Sequence, residues 1–239
     1  RSRYRMRSPS KQFIPETTSD GSPTLRLISD PLADLTIRTE SMHHSGGAAS
    51  ETQYIYGNPI RQALQKDSEV NFLVVGLGLG YIEMLMASVA TGRAITSYEI
   101  DSELRQNFLE WTQGSEKFEI YDQVCRSLKL EPDFVRSQIQ KNHLKLCAEL
   151  SLNTVFEQKN HVICFDAFSQ KTSGTLWTEE FLNYFITNAC AEDCVFTTYA
   201  CTGLLKRTLE KNGFHFEKRA GFIGKRNSTL ATRGKFKNS

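Results

Sequence analysis

The chain has 239 residues, 39% of them apolar and 23% charged, a balance that supports a folded core and excludes wholesale disorder. No apolar run approaches the ~18 residues that a membrane-crossing helix needs, and neither a Cys-x-x-Cys pair nor a recognisable zinc spacing occurs. The net charge of +2 hides basic ends, +5 over residues 1–14 and +8 over 206–239, on a body that carries −11. Such ends suit a polyanionic partner, or serve simply as solvated tails.

Residues 1–19 read as a basic flexible arm ahead of a single domain over 20–239. The opening residues hold no apolar core with a small-residue cleavage site, so a secretory signal is not expected, and the apolar neighbours of Cys125, Cys147, Cys164, Cys190, Cys194 and Cys201 suggest free thiols of a reducing cytoplasm. Asp20-Gly21-Ser22-Pro23 is a turn and Thr24–Ile28 a short β-like run. His43-His44-Ser45-Gly46-Gly47-Ala48 opens a helix through Glu51, completing a small β/α leader in which His43 and His44 pack or cap.

From residue 69 apolar strands alternate with helices. The expected strands are Val70–Val75, Ala94–Tyr98, Leu144–Leu150, His161–Phe165 and Cys194–Tyr199. Helices are expected over Tyr81–Ala90, most of 101–141 with a break at Pro132, Trp177–Asn188 and Gly203–Asn212, the last stopped by Gly213. This alternation predicts an α/β, Rossmann-like fold with a mainly parallel sheet, whose chemistry gathers at the carboxyl ends of the strands.

Three features fall at those ends. Gly76, Gly78 and Gly80 join the first strand of the alternation to its helix, leaving no Cβ between backbone and ligand. The Gly-Lys-Ser/Thr ending of a phosphate loop is missing, so a triphosphate is disfavoured. Alternating glycines suit the class I methyltransferases, where such a loop passes beneath the amino-acid part of S-adenosylmethionine; a merely tight turn is the plain alternative. Glu99 ends the next strand, nineteen residues beyond Gly80, where an acid can accept from both ribose hydroxyls. Asp166 follows the strand ending at Phe165, placed to orient an amine or take its proton, or to cap a helix.

Longer stretches carry a resemblance. Asp20-Gly21-Ser22-Pro23-Thr24-Leu25, His44-Ser45-Gly46-Gly47-Ala48 with Glu51, and Asp166-Ala167-Phe168-Ser169 followed by Leu176-Trp177-Thr178 resemble one tRNA-modifying family. So do Thr198-Tyr199-Ala200, Gly203-Leu204-Leu205-Lys206-Arg207, Gly221-Phe222 and Gly224-Lys225-Arg226. Together these blocks, over about residues 20–231, resemble the tRNA 5-methylaminomethyl-2-thiouridine methyltransferases, the methyltransferase half of MnmC and its single-domain MnmD-like relatives.

The resemblance implies S-adenosylmethionine as cofactor and the aminomethyl group of 5-aminomethyl-(2-thio)uridine, at the wobble position in the anticodon loop of tRNA, as methyl acceptor. It implies Asp166 as the catalytic group and cofactor contacts at Gly76, Gly78, Gly80, Glu51 and Glu99. A separate flavin-dependent oxidase would then supply the free aminomethyl group. An unstacked loop base suits a pocket, with Lys225 and Arg226 on phosphates and Tyr199 stacking on the base or packing on the sheet. The chain departs from the family pattern at Val74 and Ile82, where Glu and Asn are usual. It departs again at Glu149-Leu150-Ser151, where a Gly-Asp pair is usual and Glu149 is the acid at hand. Those departures leave open a methyltransferase for another RNA or a small amine, and an RNA-binding relative without catalysis.

Overall fold

The structure, a computed structural model, describes residues 11–29, 38–224 and 227–237. The chain begins there with three strands, β1 (Lys11–Thr17), β2 (Pro23–Ser29) and β3 (Arg38–Ser41), which form an antiparallel sheet in the order β1-β2-β3. The expectation of a flexible arm over 1–19 therefore gives way at Lys11, because that segment pairs along its whole length with β2. Pro15 cannot donate to a ladder, and β1 tolerates it as an edge strand with one neighbour.

Helix α1 (Ala48–Thr52) follows, and the turn over residues 18–22 caps it. Thr18 Oγ1 accepts from Ala48 N at 3.1 Å, Ser22 Oγ from Ala49 N at 3.0 Å, and Asp20 Oδ2 from Ser50 N at 3.1 Å. Three first-turn amides that lack helical partners are thereby satisfied by one turn. Gly47 is required by proximity, since a Cβ there would lie 2.3 Å from the Asp20 carboxylate. The Asp-Gly-Ser and Ser-Gly-Gly-Ala stretches are thus two halves of one capping structure.

A single π-helical turn, Gln53–Gly57, joins α1 to α2 (Asn58–Lys66). The rest is the alternating unit: β4 (Phe72–Val75), α3 (Tyr81–Val89), β5 (Ala94–Tyr98), α4 (Ser102–Thr112), α5 (Glu119–Ser127), α6 (Pro132–Lys141), β6 (His143–Cys147) and β7 (Asn160–Phe165). A 3₁₀ turn (Gly174–Trp177), α7 (Glu179–Ala189), β8 (Cys190–Thr198), α8 (Gly203–Lys211), β9 (His215–Arg219) and β10 (Ser228–Arg233) complete it. Pro132 starts α6, where its missing N–H has no partner to lose.

The second sheet has the order β6-β5-β4-β7-β8-β10-β9. β6 through β8 are mutually parallel, and β10 runs antiparallel to both neighbours, so the mainly parallel α/β expectation holds. β4 and β7 lie at the centre, and all four residues of β4 are buried, as a strand covered on both faces requires. Phe165, Phe181, Phe185 and Phe196 pack one face; Phe108, Trp111 and Tyr121 anchor the helices on the other. No helix among the described residues is long and apolar enough to cross a membrane.

Candidate active site

The carboxyl ends of β4, β5 and β7 open into a cavity of about 960 Å³, walled by β3, α1 and the loops after β6 and β7. That volume is at the upper end of the ~300–1,000 Å³ usual for small-molecule sites. Backbone hydrogen bonds draw the three strand ends together: Gly76 N donates to Tyr98 O at 2.8 Å and Asp166 N to Val75 O at 2.8 Å. Gly76 has φ +95°, and a Cβ there would lie 2.6 Å from the carbonyl oxygen of Asp166, so only glycine lets the two loops meet.

Gly76, Gly78, Glu51, Glu99, Glu149, Asp166 and Tyr199 all line this cavity. Gly80 does not; it precedes α3 and packs against the Phe108 ring. Lys225 and Arg226 lie outside the described residues. Glu99 turns back to the glycine loop, its carboxylate accepting from Gly78 N at 3.2 Å and Asp101 N at 2.9 Å. Burial raises the Glu99 pKa against the pull of those amides. Glu149 is exposed at the rim, beyond β6, which ends earlier than the expected Leu150.

Asp166 is half-buried, its open side facing the cavity. Burial pushes its carboxyl well above the usual carboxylate range, opposed by one hydrogen bond and reinforced by the charges of Glu51 and Glu83. The opposing donor is the Tyr56 hydroxyl, 2.5 Å from Oδ1. Tyr56 is buried on the π-turn, and that burial raises its own pKa further above the phenol range. Glu51 accepts from His44 N at 2.7 Å, and burial lifts its pKa as well. His43 bonds Thr24 Oγ1 at 2.9 Å and meets the Tyr81 ring edge-on. Burial drives the His43 imidazole down to about 4, which leaves it neutral packing for the leader.

The Asp-Ala-Phe and Leu-Trp-Thr blocks are one structure. Tyr199 OH donates to Ala167 O at 2.8 Å, and Trp177 Nε1 to Phe168 O at 2.7 Å, pinning consecutive carbonyls after Asp166. Glu40 of β3 then accepts from Ser169 N at 2.9 Å and Ser169 Oγ at 3.0 Å, and from Thr172 Oγ1. Thr178 caps α7 by accepting from Phe181 N at 3.2 Å. Sequence reasoning missed Tyr56 and Glu40; the Gly57-Asn58-Pro59 stretch inside a helical pattern was the one local signal of the irregular turn.

The residues fit S-adenosylmethionine. The Glu99 carboxylate sits beside Gly76 and Gly78, which put no side chain into the cavity, next to Ile100, which is 70% exposed and lines the same cavity. A family model described as S-adenosyl-L-methionine-dependent methyltransferase matches residues 99–234. The tRNA 5-methylaminomethyl-2-thiouridine biosynthesis bifunctional protein MnmC of Campylobacter hominis is 23% identical over 194 residues, 74% of this chain and 27% of that protein. The chain thus spans about a quarter of that relative's length.

Among solved structures, MnmC2 of Aquifex aeolicus matches with a TM-score of 0.66 at 20% identity, over 94% of this chain and 71% of that one. Spermidine synthase of Thermotoga maritima matches with a TM-score of 0.57 at 13% identity, over 96% and 81%. These two likenesses carry the Rossmann-like fold. The matched family model takes in Glu99, Asp166 and the blocks that pin the Asp166 loop, and the chain is a member of this S-adenosyl-L-methionine-dependent methyltransferase family, similar to the methyltransferase domain of MnmC.

Proposed function

We propose that the chain N-methylates the aminomethyl group of 5-aminomethyl-(2-thio)uridine at the wobble position of tRNA. The observation that carries this reading is Asp166, a carboxyl held at the cavity floor by Tyr56 and by a loop pinned at two carbonyls. The lining adds Glu51, Glu149 and Glu180 and, among the described residues, no Lys or Arg. Such a lining favours a basic amine and disfavours a phosphate. The substrate's phosphates therefore stay outside the cavity, and Lys225 and Arg226 are the proposed contacts for them.

When bound, S-adenosylmethionine supplies an electrophilic methyl group on a sulfonium. Gly76 and Gly78 would carry its amino-acid end, Glu99 its ribose hydroxyls and Ile100 one face of its adenine. The protein's own task is to present a neutral nitrogen lone pair in line with that methyl. Asp166 accepts a hydrogen bond from the amine, fixing its orientation, and takes the proton released as the carbon–nitrogen bond forms. A carboxyl with a raised pKa is a better proton acceptor than an ordinary Asp, and Tyr56 keeps its other face occupied. A separate flavin-dependent oxidase is the assigned source of the free amine.

Methyl-labelled S-adenosylmethionine and tRNA bearing the free aminomethyl group test this directly. Label in the wobble nucleoside is expected. Label taken up by small amines with none in tRNA would replace the substrate assignment.

A further inference from the structure

We propose that Thr197 and Arg219 are positioning residues for Asp166, acting on the Ile55 carbonyl to hold the π-turn that presents Tyr56. The proposal rests on the reading of Asp166 as proton acceptor, and begins with Pro59. In an α-helix the Ile55 carbonyl would accept from the N–H of residue 59, and proline has none. The chain answers with the π-turn Gln53–Gly57, the local change of pitch expected where a regular ladder is broken.

Two side chains, from β8 and β9, take over that carbonyl. Thr197 Oγ1, fully buried on β8, donates to Ile55 O at 2.6 Å. Arg219 Nη2, at the end of β9, donates to the same oxygen at 3.1 Å and to Thr197 Oγ1 at 3.2 Å. The guanidinium also lies over the Tyr54 ring at 5.7 Å, and Tyr54 OH donates to Ala220 O at 2.8 Å. Ile55 and the residue before it are thereby fixed. The next residue is Tyr56, whose hydroxyl reaches Asp166.

Arg219 is a poor device for stability alone. No carboxylate pairs with it among the described residues, and its Nε is buried without a hydrogen-bond partner. A partly desolvated cation so placed costs folding energy that an apolar side chain would not. What it secures is the geometry of one carbonyl, that of the residue before Tyr56, the phenol that donates to Asp166 itself.

The test reads Tyr56 itself, by NMR of protein isotope-labelled at the tyrosine Cζ, with the Tyr56 resonance assigned from its loss in Tyr56→Phe. Thr197→Val and Arg219→Met are each expected to shift that resonance and to lower kcat for methyl transfer about tenfold, with cofactor KM within about twofold. Thr197→Ser keeps the donor and is expected to restore both. Pro59→Ala removes nothing polar from the core and supplies the missing N–H, so it is expected to shift the same resonance by favouring the α register. A resonance unmoved in Thr197→Val, Arg219→Met and Pro59→Ala overturns the proposal, as does a resonance that moves while kcat stays at the wild-type value. Because the resonance needs no substrate, a wild-type protein inert toward tRNA would count against the proposed function while the resonance still decides the clamp.

Discussion

Asp166 and Glu83 are both carboxyls lifted by burial, yet only Asp166 opens onto the cavity. The Tyr56 hydrogen bond lowers the Asp166 pKa against that burial. Tyr56→Phe is therefore expected to move the acid limb of the kcat/KM pH profile toward higher pH and to lower kcat at neutral pH by roughly tenfold. An unmoved limb would mean that the titrating group is not Asp166. Glu83 is fully buried on α3, with Ser97 Oγ donating to Oε1 at 2.5 Å and Oε2 without a partner. Burial carries its pKa from 4.5 to about 8. A pKa raised in the folded state means stability that is full below the unfolded value and declines as pH rises from 4.5 toward 8. Glu83→Gln is expected to raise stability at neutral pH by up to ~3 kcal/mol and to flatten that decline, measured by urea unfolding across pH.

At the level of elements, the leader matters as much as the alternating unit. Asp20 binds the turn to α1, and although burial opposes it, hydrogen bonds from Ser22, Ser50 and Thr18 hold its carboxyl well below the usual range. Asp20→Ala is expected to cost about 1–2 kcal/mol at neutral pH in chemical denaturation, and to loosen the wall that carries Glu51. The parallel strands were legible because short apolar runs stood out after polar stretches, Phe72–Val75 after Lys66-Asp67-Ser68-Glu69 and Asn160–Phe165 after Glu157-Gln158-Lys159. β1 and β9 were not. Lys11–Thr17 and His215–Arg219 are polar edge strands whose pairing comes from β2 and β10 rather than from their own composition. The sequence placed Asp166 at a strand end, but could not show Tyr56 beside it, because the contact spans 110 residues. Glu40 was hidden for the same reason, 129 residues from the Ser169 amide it accepts from.

For the whole molecule, the charge pattern and the fold agree. Basic termini flank an acidic body, and the cavity belongs to that body, lined by carboxylates rather than cations among the described residues. On the proposed function, a polyanion would be held by its backbone at the basic ends while one uncharged base, with its amine, enters the acidic cavity. The departures at Val74 and Ile82 leave that cavity intact: both are buried apolar residues, and Val74 completes the covered strand β4. On the proposed function, Asp166 readies the amine and stands apart from the residues that hold the cofactor. The most direct measurement of that role sets Asp166→Ala beside the wild type in two assays, calorimetric titration with S-adenosylmethionine and methyl transfer to aminomethyl-bearing tRNA. Cofactor affinity within a few-fold of wild type and methyl transfer reduced by at least ~10²-fold are expected. Transfer at the wild-type rate with the cofactor bound as before would contradict it.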